Sequence, residues 1–225
     1  MHIEPGIVNG AKLLLSYGTA AAAGGLTLKF AADSVRAGGV ASLGARAALA
    51  AVATFGFFQV LPHYPVGVSE VHLILGSTLF LIFGAGPAAI GLAMGLLAQG
   101  LFFAPADLPQ YGMNLTTLLI PLFGLHMLAK RLIAPGTAYV DLEYRQVLAL
   151  SAAYQGGIVA WVAFWAVYGQ GFGAETLASV GMFGAAYMTV VLLEPLVDLG
   201  VLAGAKALRG LKDSGLVTPR LYSAA

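Results

Sequence analysis

The sequence contains no cysteine. Disulfides, thiolate metal sites, iron–sulfur clusters and cysteine nucleophiles are therefore excluded, and any metal must be held by nitrogen and oxygen donors. Charge is nearly as scarce. Only 9% of the 225 residues are Asp, Glu, Lys or Arg, against about 25% in an ordinary soluble domain. A net charge of +1 leaves no basic face for nucleic acid. No segment has the form Gly-x-x-x-x-Gly-Lys-Ser/Thr, so the phosphate-cradling loop of that motif is missing and no ATP site is expected here.

What remains is apolar. Hydrophobic residues make up 59% of the chain, and mean hydropathy is +0.87. Such a surface cannot be solvated by water, so the chain reads as an all-α, polytopic transmembrane helical bundle among membrane lipids. A membrane helix needs about 20 apolar residues. About seven helices fit the runs 10–30, 45–61, 68–84, 86–104, 114–134, 146–168 and 177–203. Breaks fall where proline, glycine and charge gather, as in Asp33 to Gly39, Leu61 to Pro65, Gly84 to Pro87 and Pro105 to Pro109. The third run is the least continuous, and runs three and four also fit a re-entrant hairpin. Long apolar runs argue against a β-barrel, which needs short alternating strands. Thirty glycines suit close helix packing in lipid. The stretch Met1 to Gly6 lacks the basic region of a cleaved signal peptide, so the first run is expected to stay as a helix.

Lys and Arg set the orientation. With the N-terminus outside and every run crossing, Lys29, Arg36, Arg46, Lys130, Arg131, Arg145, Lys206, Arg209, Lys212 and Arg220 fall inside. Only Lys12 falls outside. The C-terminus is then inside. The outer segments carry His2, His63 and His72 with Glu4, Glu70, Asp107 and Glu175. The expected organisation is one membrane domain over 1–225: an outer segment 1–9, a bundle 10–203 and a cytoplasmic tail 204–225.

His2 is the sharpest chemical feature. A histidine in second position offers the α-amine of Met1, its own backbone amide and its imidazole Nδ1 as one chelating run. These donors favour square-planar Ni2+ or Cu2+, and one more imidazole completes four nitrogens. The alternative is a histidine in a frayed terminus. His72 opens the third run, as a ligand or as a side chain hydrogen-bonded at headgroup level. Glu70 is a second acceptor behind a ligand, a weak ligand, or simply solvated. Ser69 adjoins it. His63, between Pro62 and Pro65, is a metal-capture residue or an interfacial side chain. Asn114 caps the fifth run or hydrogen-bonds a ligand-holding loop. His126 lies about 18 Å deeper at 1.5 Å per residue and reads as a buried histidine bonded to a neighbouring helix. Glu194 and Asp198 share a face of the seventh run. They bind a partner subunit, help an ion leave, or pair with a cation at the inner interface. Ser16, Ala20 and Gly24 form a small-residue stripe for helix packing.

Met1-His2-Ile3 with Gly6, His72 followed by Leu73 and Gly76, Gly112-Met113-Asn114, and Glu194 late in the last run resemble the CbiM/NikM type. These are the substrate-binding membrane components of cobalt and nickel transporters of the energy-coupling-factor class. The resemblance implies a seven-helix membrane protein whose outward N-terminus tucks into the bundle. It implies Co2+ or Ni2+ as the transported ion, held by Met1, His2 and His72, with the Asn114 segment as a supporting loop. It implies a transport subunit rather than an enzyme, working with a coupling transmembrane subunit and cytoplasmic ATPases in a bacterial inner membrane. Two positions depart from the pattern. Ser69-Glu70-Val71 stands where the family has small residues before its loop histidine, and Thr117 stands where it has a second asparagine. A structural membrane subunit that keeps the fold without transport is the competing expectation.

Overall fold

The computed structural model describes residues 2–208. Within them six helices carry the fold, and five are long and apolar enough to cross a membrane. Helix α1 (Leu13–Gln59) is 47 residues long. An unbroken helix of that length would reach about 70 Å at 1.5 Å per residue, more than twice the ~30 Å of a bilayer core. Gly39 prevents this: at φ 78° and ψ 167° it leaves the helical region and divides α1 into two legs. Only glycine takes that conformation without steric penalty. The legs correspond to the first two expected runs.

Helix α3 (Ala85–Phe102) receives both legs on its glycines. A Cβ at Gly86 would stand 2.6 Å from Phe30 O; one at Gly91 would stand 2.3 Å from Ala50 Cβ, and one at Gly95 2.6 Å from Thr54 Cβ. Backbones this close are the packing device of helices in lipid, where no hydrophobic effect drives association. Helices α4 (Tyr111–Leu132), α5 (Tyr144–Gln170) and α6 (Ala174–Ala207) complete the bundle. Gly157 of α5 packs on Pro121 of α4. The small-residue stripe splits: Ser16 is buried against Gly112, while a Cβ at Gly24 would meet nothing within 4 Å.

The third expected run is corrected. Residues 68–84 are not one helix. They begin in an antiparallel hairpin of β1 (Tyr64–Val66) and β2 (Ser69–Val71), continue as irregular chain, and end in α2 (Gly76–Phe83), eight residues long. At ~1.5 Å per residue α2 spans only about 12 Å. The segment nevertheless travels from the hairpin to the opposite end of the bundle, where Arg46 Nη1 donates to Phe83 O at 2.9 Å. Non-helical backbone at membrane depth survives only inside protein, and Ile74 to Phe80 are all buried. Gly84 (φ 86°) then turns the chain into α3.

Two carboxylates of α6 satisfy this irregular backbone. Glu194 Oε1 accepts the N–H of Ile74 and, at 3.0 Å, that of Leu75, while Gln155 Nε2 donates to its other oxygen. Tyr187 donates to Gln155 Oε1 at 2.7 Å. Leu75 is left-handed (φ 54°), the only such non-glycine residue described. Asp198 accepts from Ser77 Oγ at 2.6 Å and from Thr78 Oγ1. Both carboxylates are buried in the bundle. The expected cation partner at an inner interface is thus replaced by backbone amides, an amide side chain and hydroxyls.

Among the described residues, Lys12 lies at the hairpin end, where its Nζ donates to Gly169 O at 2.8 Å. Arg46 and Lys206 lie at the other end, Lys206 donating to Leu142 O at 2.7 Å. Arg209, Lys212, Arg220 and most of the expected tail lie outside the described residues. Helix α6 itself continues through Ala207, beyond the expected end at 203.

Candidate metal centre

The N-terminal segment enters the hairpin end as an extra strand. Ile3 bridges Ser69 in antiparallel sense; Glu70 N–H donates to His2 O at 3.0 Å and Glu4 N–H to Val68 O at 3.2 Å. Ser69 Oγ also donates to His2 O, at 2.9 Å. On its other side Ile3 N–H donates to Asn114 Oδ1 at 2.8 Å. Ile3 itself packs in a small core with Val8, Met113 and Trp165. An exposed terminus would fray; this one is fixed by main-chain pairing and by burial.

Asn114 does not cap its helix. Helix α4 begins earlier, at Tyr111, because a 3₁₀ turn over Pro105–Gln110 leads into it. Asn114 therefore lies inside the first turns, with its amide free to reach the N-terminal segment.

This pairing brings His2 and His72 together. Their ring centroids are 5.8 Å apart, and Phe58 stacks edge-on against His72 at 4.7 Å. Both imidazoles are buried, at 4% and 3% exposure. Neither Nε2 has a hydrogen-bond partner among the described residues. Such orphans are rare in a folded interior and call for a ligand or ion. His72 Nδ1 lies 3.0 Å from Leu73 O. A carbonyl only accepts, so Nδ1 carries the proton and Nε2 presents its lone pair. His2 Nδ1 lies 2.6 Å from Glu70 Oε2. One donor atom from each of His2, Glu70 and His72 falls within 4.8 Å of the others.

The electrostatics favour a cation. Burial lowers the pKa of His2, outweighing the neighbouring Glu70 carboxylate. Burial alone would raise Glu70, but the hydrogen bond and charge of His2 hold it below its ordinary value. Glu4 is pushed upward, first by burial and then by the negative charge of Glu70 and Asp107. Beside His2 a small cavity is lined by Asp107, Tyr111 and Asn114.

Other candidates are placed elsewhere. His63 is exposed in the loop before β1, where its Nδ1 donates to Leu61 O at 3.2 Å, and it is not part of the cluster. His126 sits half-buried between Phe30 and Phe80, with rings 4.7 and 5.9 Å away. Met1, the expected amine donor, lies outside the described residues. Asp107, Tyr111 and Phe58 were not singled out as site residues from sequence. Asp107 had a signal, as one of the acids facing His2 and His72 across the outer loops. Phe58 had none, since an aromatic residue in an apolar run looks like lipid-facing bulk.

The family described as "cobalt uptake substrate-specific transmembrane region" (CbiM) matches residues 2–209. The chain belongs to this cobalt-uptake family. As a CbiM-family protein it is a metal-uptake membrane component, and its fold agrees with solved structures. A transition metal transporter superposes with a TM-score of 0.70 at 18% identity, over 93% of this chain and 94% of that one. A truncated transition metal transporter gives 0.63 at 17% identity, over 92% and 97%. No curated protein matches the chain. The CbiM-family assignment accounts for the bundle and the transported metal; at these identities the solved structures speak for the fold alone.

Proposed function

We propose that this chain is the substrate-binding membrane component of an importer of the energy-coupling-factor class, taking up Co2+ or Ni2+. The ion is captured at the hairpin end by the Met1 amine, the His2 amide and imidazole, and His72. Asn114 and Ser69 position the N-terminal segment, and Glu70 adjoins the ligands. The hairpin end faces outward in a bacterial inner membrane, in keeping with the position of Lys12 there and of Arg46 and Lys206 at the opposite end. ATP hydrolysis belongs to cytoplasmic partner ATPases, joined through a coupling transmembrane subunit. The observation that carries this reading is the buried pair of imidazoles, with ring centroids 5.8 Å apart, one on the second residue of the chain and the other presenting an Nε2 with no partner among the described residues.

The donor set fits such an ion. Neutral imidazoles ligate divalent first-row metals well, and the terminal chelate ring adds nitrogens at fixed spacing. Copper binds the same donors more tightly, so selectivity has to come from geometry and supply. The test is metal content after purification with Met1 as the authentic terminus. His2→Ala, His72→Ala and a form extended by one residue before Met1 are each expected to lose Co2+ or Ni2+. Equal retention by the extended form removes the amine from the ligand set. Equal retention by both histidine variants overturns the site. Uptake by cells with and without the ATPases separates a transporter from a structural subunit.

A further inference from the structure

The hydrogen bond between Glu70 and His2 occupies the direction a metal needs. In the terminal chelate the ion sits on the Nδ1 lone pair of His2. Here that direction is taken by Glu70 Oε2, 2.6 Å from Nδ1. Two neighbouring ligands, each about 2.0–2.1 Å from one ion at a right angle, lie about 2.9 Å apart. The Nδ1 and Oε2 pair is already near that spacing. An ion entering between them displaces the proton to solvent and meets the carboxylate oxygen at once.

Glu70 is also held there from below. Its own N–H pairs with His2 O, and its strand partner is Pro65, so its Cα is fixed beside the docked N-terminal segment. Donor atoms of His2, Glu70 and His72 lie within 4.8 Å of one another. Opposite ligands of one ion lie at most about 4.2 Å apart, so a contraction of roughly half an ångström brings all three onto one ion.

We propose that Glu70 is itself a metal ligand, and that its carboxylate makes the site prefer Co2+ to Ni2+. This rests on the metal-binding role given above and adds the choice of ion. Four nitrogens alone suit planar, diamagnetic Ni2+. An anionic oxygen held beside them forces nickel out of that planar form into a paramagnetic, five-coordinate one, and suits Co2+, which accepts five or six ligands of mixed type. Glu70 thereby opposes the intrinsic order in which nickel outbinds cobalt.

The test uses the full chain with an authentic terminus, in wild-type, Glu70→Gln and Glu70→Asp forms, loaded with Co2+ or Ni2+ alone. Competition titrations give the ratio of the two affinities, and magnetic susceptibility gives the spin state of bound Ni2+. Glu70→Gln is expected to lower Co2+ affinity about tenfold or more, to change Ni2+ affinity less, and to turn bound Ni2+ diamagnetic. Glu70→Asp, which keeps a carboxylate, is expected to retain more of the cobalt preference. The proposal is overturned by an unchanged cobalt-to-nickel ratio in Glu70→Gln, or by diamagnetic Ni2+ in the wild type. The wild-type measurement decides even where the variant fails to fold. Loss of metal in His2→Ala and His72→Ala alongside either overturning result would leave the metal site standing and remove only the role of Glu70.

Discussion

Removing the carboxylate of Glu194 is the most informative perturbation of the fold. Three donors converge on it: the backbone N–H groups of Ile74 and Leu75 and the Nε2 of Gln155. Glu194→Ala strands all three in a fully buried place. Each stranded donor costs about 1–3 kcal/mol. Against this, burying a carboxylate costs several kcal/mol (roughly) that the alanine no longer bears. The net expectation is a loss of about 2–4 kcal/mol. Glu194→Gln keeps one oxygen for the two backbone amides and opposes its own amide group to Gln155. It strands one donor, for about 1–2 kcal/mol. Thermal or denaturant unfolding of metal-free protein in detergent should rank wild type above Glu194→Gln above Glu194→Ala. His72 lies just before the restrained stretch, so Co2+ affinity should fall in the same order. Equal stability of wild type and Glu194→Ala, within about 0.5 kcal/mol, refutes the reasoning. A glutamine variant weaker than the alanine does so too.

Three further outcomes follow from the site and the strap beneath it. Asn114→Ala removes the acceptor of Ile3 N–H and should weaken metal retention about tenfold while leaving the helices folded by circular dichroism; unchanged affinity would show that the N-terminal pairing alone places His2. Gly76→Ala puts a Cβ 2.3 Å from Tyr154 Cζ and should destabilise by about 1–3 kcal/mol; a neutral result would mean that Tyr154 turns aside freely. Metal binding should strengthen as pH rises through about 5 to 8, because the ion replaces the proton shared by His2 and Glu70. Since burial lowers the His2 pKa, competition from a fully protonated ring is confined below its usual range of about 6.5. Calorimetry in two buffers of different ionisation heat reads the released protons, and a pH-independent affinity would contradict the exchange.

Much of the architecture was legible in the residues, for identifiable reasons. The turn at Gly39 is announced by the charges and glycines from Asp33 onward, and the apolar runs of α3 to α6 are long enough to count. Residues 68–84 misled because hydropathy reports burial, and burial in lipid and burial in protein look alike. Nothing in the composition of Ile74 and Leu75 tells that their amides point at a carboxylate. That carboxylate lies 120 residues beyond Ile74. His2 and His72 stood out through position and through scarcity. Their meeting depends on three-residue strands too short to leave a pattern. The reach of Asn114 to Ile3 was hidden for a related reason: the start of α4 is fixed by the preceding 3₁₀ turn, and a shift of three residues changes a capping side chain into a bridging one.

The docked N-terminus has a consequence for biogenesis. Ile3 needs Ser69 for its bridge, Asn114 for its amide and Trp165 for its packing. This N-terminal segment must therefore wait, unplaced, until most of the polypeptide has been inserted. Nascent chains halted before Trp165 should carry a loose tip, open to labelling, which closes only as α5 arrives.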